Sequence, residues 1–171
     1  ILLSLKKNLD HSRLISEKTS LDYQKEFRNI AMELMQVNTH EEWAELYKKL
    51  IFWEMQLEDV NDNNLQNILE NQKSEANIHF GKFVEKNYET WINDVDQAPM
   101  FSHQLFKKWV VPELREDNKV LFLVIDNLRF DQWKAFEKSI TEYYKISNEN
   151  YYYSILPTAT QYARNAIFSG L

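Results

Sequence analysis

Apolar residues in the first half of the chain recur at intervals of three and four. Ile1, Leu2, Leu5 and Leu9 fall on one helical face, with Lys6, Lys7 and Asp10 opposite. A polar patch, Ser16 to Ser20, predicts either a kink or an N-cap for a second helix, along which Tyr23, Phe27, Ile30, Leu34 and Val37 form a new stripe. Asn38 closes that helix. Thr39-His40-Glu41-Glu42 then reads as a capping box, with the Thr39 hydroxyl taking a backbone N–H and the Glu42 carboxylate reaching back. Trp43, Leu46, Leu50, Trp53 and Leu57 follow at a/d spacing, the seam of a helix bundle. After the polar break from Glu58 to Asn63, the stripe Leu65, Ile68, Gln72, Ala76, His79, Phe83 predicts a further helix reaching Asp94. At 1.5 Å per residue it would be roughly 45 Å long. Amphipathic helices in series with short polar joints predict a mainly α antiparallel bundle.

The pattern changes after Val95. The stretch from Asp96 to Ser102 reads as a joint, and Ser102 as the cap of a short helix that Val111-Pro112 interrupts. Val120 to Ile125 are consecutive apolar residues between Lys119 and Asp126, which predicts a strand buried on both faces. Phe130, Trp133, Phe136 and Ile140 predict a helix, Tyr151 to Leu156 a second strand ended by Pro157, and Thr160 to Ser169 a last helix. Strand, helix, strand, helix is the opening βαβα segment of an α/β domain. The expected organisation is a leading helix over residues 1–16, a helical bundle over 17–112 and an α/β segment over 118–171.

Composition narrows the class. Two Gly and three Pro in 171 residues are too few turn-formers for a many-stranded sandwich or barrel. Without Cys there is no disulfide scaffold, thiol nucleophile or thiolate-bound metal. A net charge of −6 leaves no electrostatic footprint for double-stranded DNA. No apolar run approaches the length of a membrane span, and the N-terminal residues lack a signal-peptide pattern, so the expected location is cytoplasmic with no membrane partner. Both ends read as parts of a longer chain.

Ligands of open α/β sheets bind beyond the carboxyl ends of the strands. Asp126 stands at the end of the first predicted strand. Leu156-Pro157-Thr158-Ala159-Thr160 stands at the end of the second, with Thr160 opening the next helix. A helix N-terminus stabilises a phosphate oxygen or an alkoxide, and a carboxylate beside it holds a divalent cation. That is the minimum layout for metal-assisted phosphoryl transfer.

Val124-Ile125-Asp126-Asn127-Leu128-Arg129, followed by the stretch from Leu156 through Gly170, resembles the opening of the alkaline phosphatase superfamily. There a metal-binding Asp closes the first strand, and a Ser or Thr nucleophile opens a helix after a Pro-Thr-x-Thr stretch. The run from Asp126 to Trp133 is similar to the PglZ branch, and the preceding helices resemble the linker of PorX-type response regulators. The resemblance implies that residues 1–16 continue a receiver helix. It matches Asp126 to the metal ligand and Thr160 to both nucleophile and metal ligand, with Thr158 the competitor that sits too early for the helix N-terminus. It also implies two zinc ions whose further ligands are absent from this chain, and a zinc-dependent phosphodiesterase or phosphatase acting through a phospho-threonine. A phosphate-ester or nucleotide substrate, a sensor histidine kinase partner, a homodimer and control of type IX secretion complete what it implies.

Several residues invite two readings. Arg129 is expected to pair with Asp131 rather than phosphate, and Asn127 to cap the helix from Phe130 rather than line the site. Arg164 and Asn165, one turn into the last helix, either meet substrate or bond loops. His79 reads as a hydrogen-bonded core residue, and His11, His40 and His103 lack metal-ligand spacing. Tyr151 to Tyr153 read as sheet packing, not base stacking. The alternative function is a non-catalytic helical adaptor with an α/β scaffold. A receiver domain with Asp126 as phospho-acceptor fails, because no later Lys follows the Thr at a third strand.

Overall fold

In the computed structural model of the chain, the residues described are 2–58, 60, 62–94, 98–114 and 119–170, with side chains from Arg13 onward. The apolar face expected for Ile1, Leu2, Leu5 and Leu9 therefore lies outside the described side chains, as does part of the joint at Asp96 and Gln97. Two compact units divide the chain, Ile1–Tyr88 and Glu89–Leu171.

The first unit is built from α1 (Leu2–Gln36), α2 (His40–Glu58) and most of α3 (Asn63–Asn93). The two helices expected before Asn38 are one. Ser20 does not cap a new helix: its hydroxyl donates to the Ser16 carbonyl one turn back, at 2.9 Å, and the ladder runs through the polar patch. The capping box at the start of α2 forms as expected. Glu42 N–H donates to Thr39 Oγ1 at 3.2 Å, while Glu42 Oε2 accepts from Thr39 N–H at 3.1 Å and Asn38 N–H at 2.8 Å. These bonds hold the Glu42 carboxyl below its ordinary range, the Asn38 N–H contributing most.

Cross-helix pairs give the directions. Tyr23 packs on Trp53, and Lys49 of α2 bridges Glu26 and Glu33 of α1, so α1 and α2 run antiparallel. Trp43 meets Phe80 and Phe83 while Glu54 pairs with Lys73, so α2 and α3 do too. The core between them comprises Tyr23, Ile30, Leu34, Trp43, Leu46, Leu50, Leu57, Val60, Leu65, Leu69 and Ala76. Each large aliphatic among them contributes about 1.5–3 kcal/mol by burial. On α3 the expected stripe is displaced: Leu69 is buried, whereas Ile68 is exposed and His79 is only half-buried. Phe27 is likewise exposed at the margin. Inside the core sits one polar link. The Tyr23 hydroxyl donates to Gln72 Oε1, and Gln72 Nε2 donates to the Phe27 carbonyl, each at 3.0 Å.

The second unit holds α4 (Ser102–Leu105), a π-helical turn (Phe106–Val110), α5 (Val111–Leu114), α6 (Phe130–Thr141) and α7 (Thr160–Ser169). Pro112 does not interrupt the short helix as expected. Proline lacks an N–H and crowds the carbonyl four residues back, and the wider turn from Phe106 to Val110 absorbs both defects. Nor does Ser102 cap it. Phe101 precedes the helix and its N–H donates to Gln104 Oε1 at 3.2 Å, while the buried Ser102 hydroxyl accepts the Ile155 N–H at 3.3 Å.

Neither predicted strand appears, so the βαβα segment is corrected to helices joined by irregular chain. Residues 119–125 have no regular secondary structure, and Leu121, Leu123 and Ile125 are exposed. An apolar run becomes a strand only beside another strand that takes up its N–H and C=O groups, and none of the described residues offers that edge. From the second predicted strand, one parallel bridge survives at Phe101 and Tyr153. The Tyr153 N–H donates to the Met100 carbonyl at 2.7 Å, and the Ser102 N–H to the Tyr153 carbonyl at 2.9 Å. Trp91 packs on both Phe101 and Tyr153.

Candidate active site

What fixes α7 is its C-terminal half. Ala166 and Ile167 are buried, Ile167 in a cluster with Leu105 and Val110, and Phe168 completes an aromatic triangle with Phe106 and Phe122. Gly170 then passes so close to α4 that an added Cβ would lie 1.9 Å from the His103 carbonyl oxygen, so glycine is required there by space alone. Phe122 belongs to the irregular run ahead of Asp126. The same triangle thus anchors both the helix that carries Thr160 and the segment that leads to the carboxylate.

Thr160 is the first residue of α7 and is exposed. Before it, Ala159 is extended, and its carbonyl accepts the N–H groups of Tyr162 and Ala163, both at 2.9 Å. The N–H groups of Thr160 and Gln161 lie ahead of that ladder, where the positive end of the helix dipole favours a negative oxygen. Thr158 stands two residues outside the helix.

Asp126 and Asn127 form a turn, in which Asn127 takes the left-handed conformation with φ 57°. Asparagine tolerates that region better than most residues. The turn also corrects the cap expected of Asn127. The helix α6 starts at Phe130 behind Arg129, whose N–H donates to Gln132 Oε1 at 3.1 Å. The Arg129 guanidinium forks onto Asp131, with Nε to Oδ1 at 3.0 Å and Nη2 to Oδ2 at 2.6 Å. That hydrogen bonding holds the Asp131 carboxyl below its usual range.

Two of the anticipated site residues are brought together. Arg164 Nη1 lies 3.6 Å from Asp126 Oδ2, joining α7 to the Asp126 turn. Arg164 follows Thr160 by four positions, so both share one face of α7. Asn165 turns elsewhere, its amide donating to the Gln161 carbonyl at 2.8 Å. Sequence reasoning did not anticipate Glu149, which accepts from Trp133 Nε1 and from Lys134 Nζ, both at 2.8 Å, and closes the loop after α6 back onto that helix. It lies in a polar loop with no periodicity to reveal it.

Of the two anticipated metal ligands, Asp126 offers a carboxylate and Thr160 a hydroxyl, both on exposed residues. Carboxylate oxygen suits zinc, though a stable site needs more ligands than these. Among the described residues no group of three or more His, Cys, Asp or Glu side chains is assembled to hold one. Asp126 is nearly half exposed and thus open to a cation. The donor chemistry of the two residues suits part of a ligand set and not the whole of one. Among the described residues no helix is long and apolar enough to cross a membrane.

The comparisons divide the chain much as its chemistry does. Residues 13–92 match the PorX response regulator linker domain, and residues 105–171 match the BREX system PglZ alkaline phosphatase-like domain. A search of curated proteins finds no match to the chain. Each match covers less than half of the chain, and side by side they make it similar to a PorX-type response regulator linker followed by a PglZ alkaline phosphatase-like domain.

Proposed function

We propose that the protein containing this chain is a response regulator whose PglZ domain is a zinc-dependent phosphodiesterase or phosphatase, with Thr160 as its nucleophile. The observation that carries the reading is the ion pair between Arg164 and Asp126, which puts a carboxylate beside the face of α7 that begins with Thr160. Asp126 and Thr160 would hold the metal on this chain's side. When bound there, zinc would supply Lewis acidity that lowers the cost of the hydroxyl's deprotonation and of charge on phosphoryl oxygens.

The residues do the rest. Thr160 Oγ attacks phosphorus in line, the P–O bond to the leaving alcohol breaks, and the alcohol departs with a proton. The N–H groups of Thr160 and Gln161 face the oxygens that gain charge. Water then attacks the phospho-threonine, releasing phosphate or its monoester and restoring the hydroxyl. The bundle of α1 to α3 would pass the state of a receiver, phosphorylated by a sensor histidine kinase, to this domain, in a cytoplasmic homodimer that regulates type IX secretion.

The test is hydrolysis of a chromogenic phosphodiester by the full-length parent protein with zinc, wild type against Thr160→Val. A metal-dependent rate that falls by about 10²-fold or more supports the nucleophile. An unchanged rate removes Thr160 from the role and leaves Thr158 as its competitor. No activity in either protein favours the adaptor reading.

A further inference from the structure

A groove of about 410 Å³ opens where the last turn of α1, the first turn of α2 and the second half of α3 meet, and its lining lies wholly within the first unit. Leu34, Met35 and Phe83 give it an apolar wall. His79, Lys82 and Phe83 are three and four positions apart, so α3 presents one face to it. No carboxylate lines the groove. Among the described residues neither the Lys82 ammonium nor the His79 ring has a hydrogen-bond or ion-pair partner. Trp43, which also lines it, is buried, and its Nε1–H has no acceptor. Elsewhere between these helices the same demand is met: Lys49 bridges Glu26 and Glu33, and Lys73 bridges Glu54 and Glu70.

We propose that this groove binds a small amphipathic carboxylate, with the apolar chain against Leu34, Met35 and Phe83 and the carboxylate on the Lys82 ammonium and the His79 ring. Charge complementarity selects the head group. An ammonium offers donors alone and a neutral imidazole one ring N–H, so the groove's polar side favours an acceptor that carries negative charge. A buried donor is nearly always paired in a folded protein, and the Trp43 Nε1–H is a further donor that such an acceptor would satisfy. The apolar wall selects the body, and the volume lies in the range of small-molecule sites, about 300–1,000 Å³. Met35 is largely exposed, and its unbranched thioether chain adapts to the shape of an apolar occupant. The proposal stands apart from the reading of Thr160 as nucleophile.

The experiment titrates the full-length parent protein, its tryptophan indoles isotope-labelled for nuclear magnetic resonance, with decanoate as the probe. Trp43→Phe identifies the Trp43 Nε1–H resonance by its loss. That resonance is expected to move saturably with decanoate and to stay in place with decylammonium, which has the same chain and the opposite charge. Lys82→Met, at an exposed position, should weaken decanoate binding about 10-fold or more with far-ultraviolet circular dichroism unchanged. Lys25→Met removes the same charge from an exposed position on α1 and should leave the affinity within about twofold. A Trp43 resonance that does not move saturably overturns the proposal, as does decylammonium binding as tight as that of decanoate. So does decanoate affinity within about twofold of wild type in Lys82→Met, or an equal loss in the two lysine variants, because overall charge would then account for the binding.

Discussion

Removing the Tyr23 hydroxyl is the most direct probe of the bundle. Tyr23 is fully buried, its hydroxyl donates to Gln72 Oε1, and Gln72 is itself buried. In Tyr23→Phe the ring stays packed on Trp53 while Gln72 Oε1 loses its donor, a cost of about 1–3 kcal/mol for a buried unpaired polar atom. Gln72→Leu has a similar effect from the other side, stranding the tyrosine hydroxyl. The Phe27 carbonyl suffers less, since it lies within α1 and keeps its helical partner. Removing both partners leaves no stranded group. The double variant should therefore be about 1–2 kcal/mol more stable than the sum of the single losses requires.

Alkali provides an independent reading of the same site. Burial pushes the Tyr23 hydroxyl up to about 12 from its ordinary value of 10.0. Between those values the unfolded chain has released this proton and the folded one has kept it. Tyr23's contribution is therefore fully present below pH 10 and falls by about 1.4 kcal/mol per pH unit as the pH rises towards 12. Tyr23→Phe should lack that component. Hydrogen exchange at the core amides of α1 and α3, with urea unfolding followed by circular dichroism, isolates this unit from the second one. Additive single losses, or an alkaline decline unchanged in Tyr23→Phe, would refute the buried link.

Three further outcomes are expected. Thr39→Ala should destabilise the first unit by about 1 kcal/mol, read as a lower urea midpoint with an unchanged slope. Because the Glu42 carboxyl is held below its ordinary range in the folded chain, its contribution is present above the unfolded value and disappears as pH falls through the lower folded one; a carboxyl carbon titration that matches free glutamate would contradict the capping box. Gly170→Ala should cost about 3 kcal/mol or more, because the new methyl collides with the His103 carbonyl backbone and forces α7 away from α4; exchange protection of α7 amides equal to wild type would refute that contact.

The bundle was legible because its signals are local. Thr39 and Glu42 lie within one turn of each other, so a four-residue window contains the whole device. The seam from Trp43 to Leu57 needs only the helical period. What the period cannot give is the phase at the edge of a stripe. On α3 the buried amide Gln72 was on the stripe for its position, but the choice between Ile68 and Leu69 depends on where α1 and α2 lie across it. Likewise the Ser16 to Ser20 patch contains good capping residues, and only the formed ladder decides that Ser20 bonds backward along α1.

At the candidate site the division follows the same physics. The bounds of α7, its first residue Thr160 and the pairing of Arg129 with Asp131 depend on neighbours in sequence, and all were readable. A strand at 120–125 depends on a partner remote in sequence, since each of its backbone groups needs a hydrogen bond from another segment. Composition records the demand for that partner and not its presence. Hence Phe122, tied to Phe106 and Phe168, is placed, whereas Leu121 and Leu123 on either side of it are exposed. Phe122 is partly buried while Val120 and Val124, which would share its face in a strand, are exposed, so the aromatic contacts alone hold the run. The carboxylate's position beside Arg164 therefore depends on the aromatic triangle, and Phe122→Ala should loosen the Asp126 turn from α7 more than any change at Leu121 or Leu123, a difference that exchange protection of the α7 amides would report.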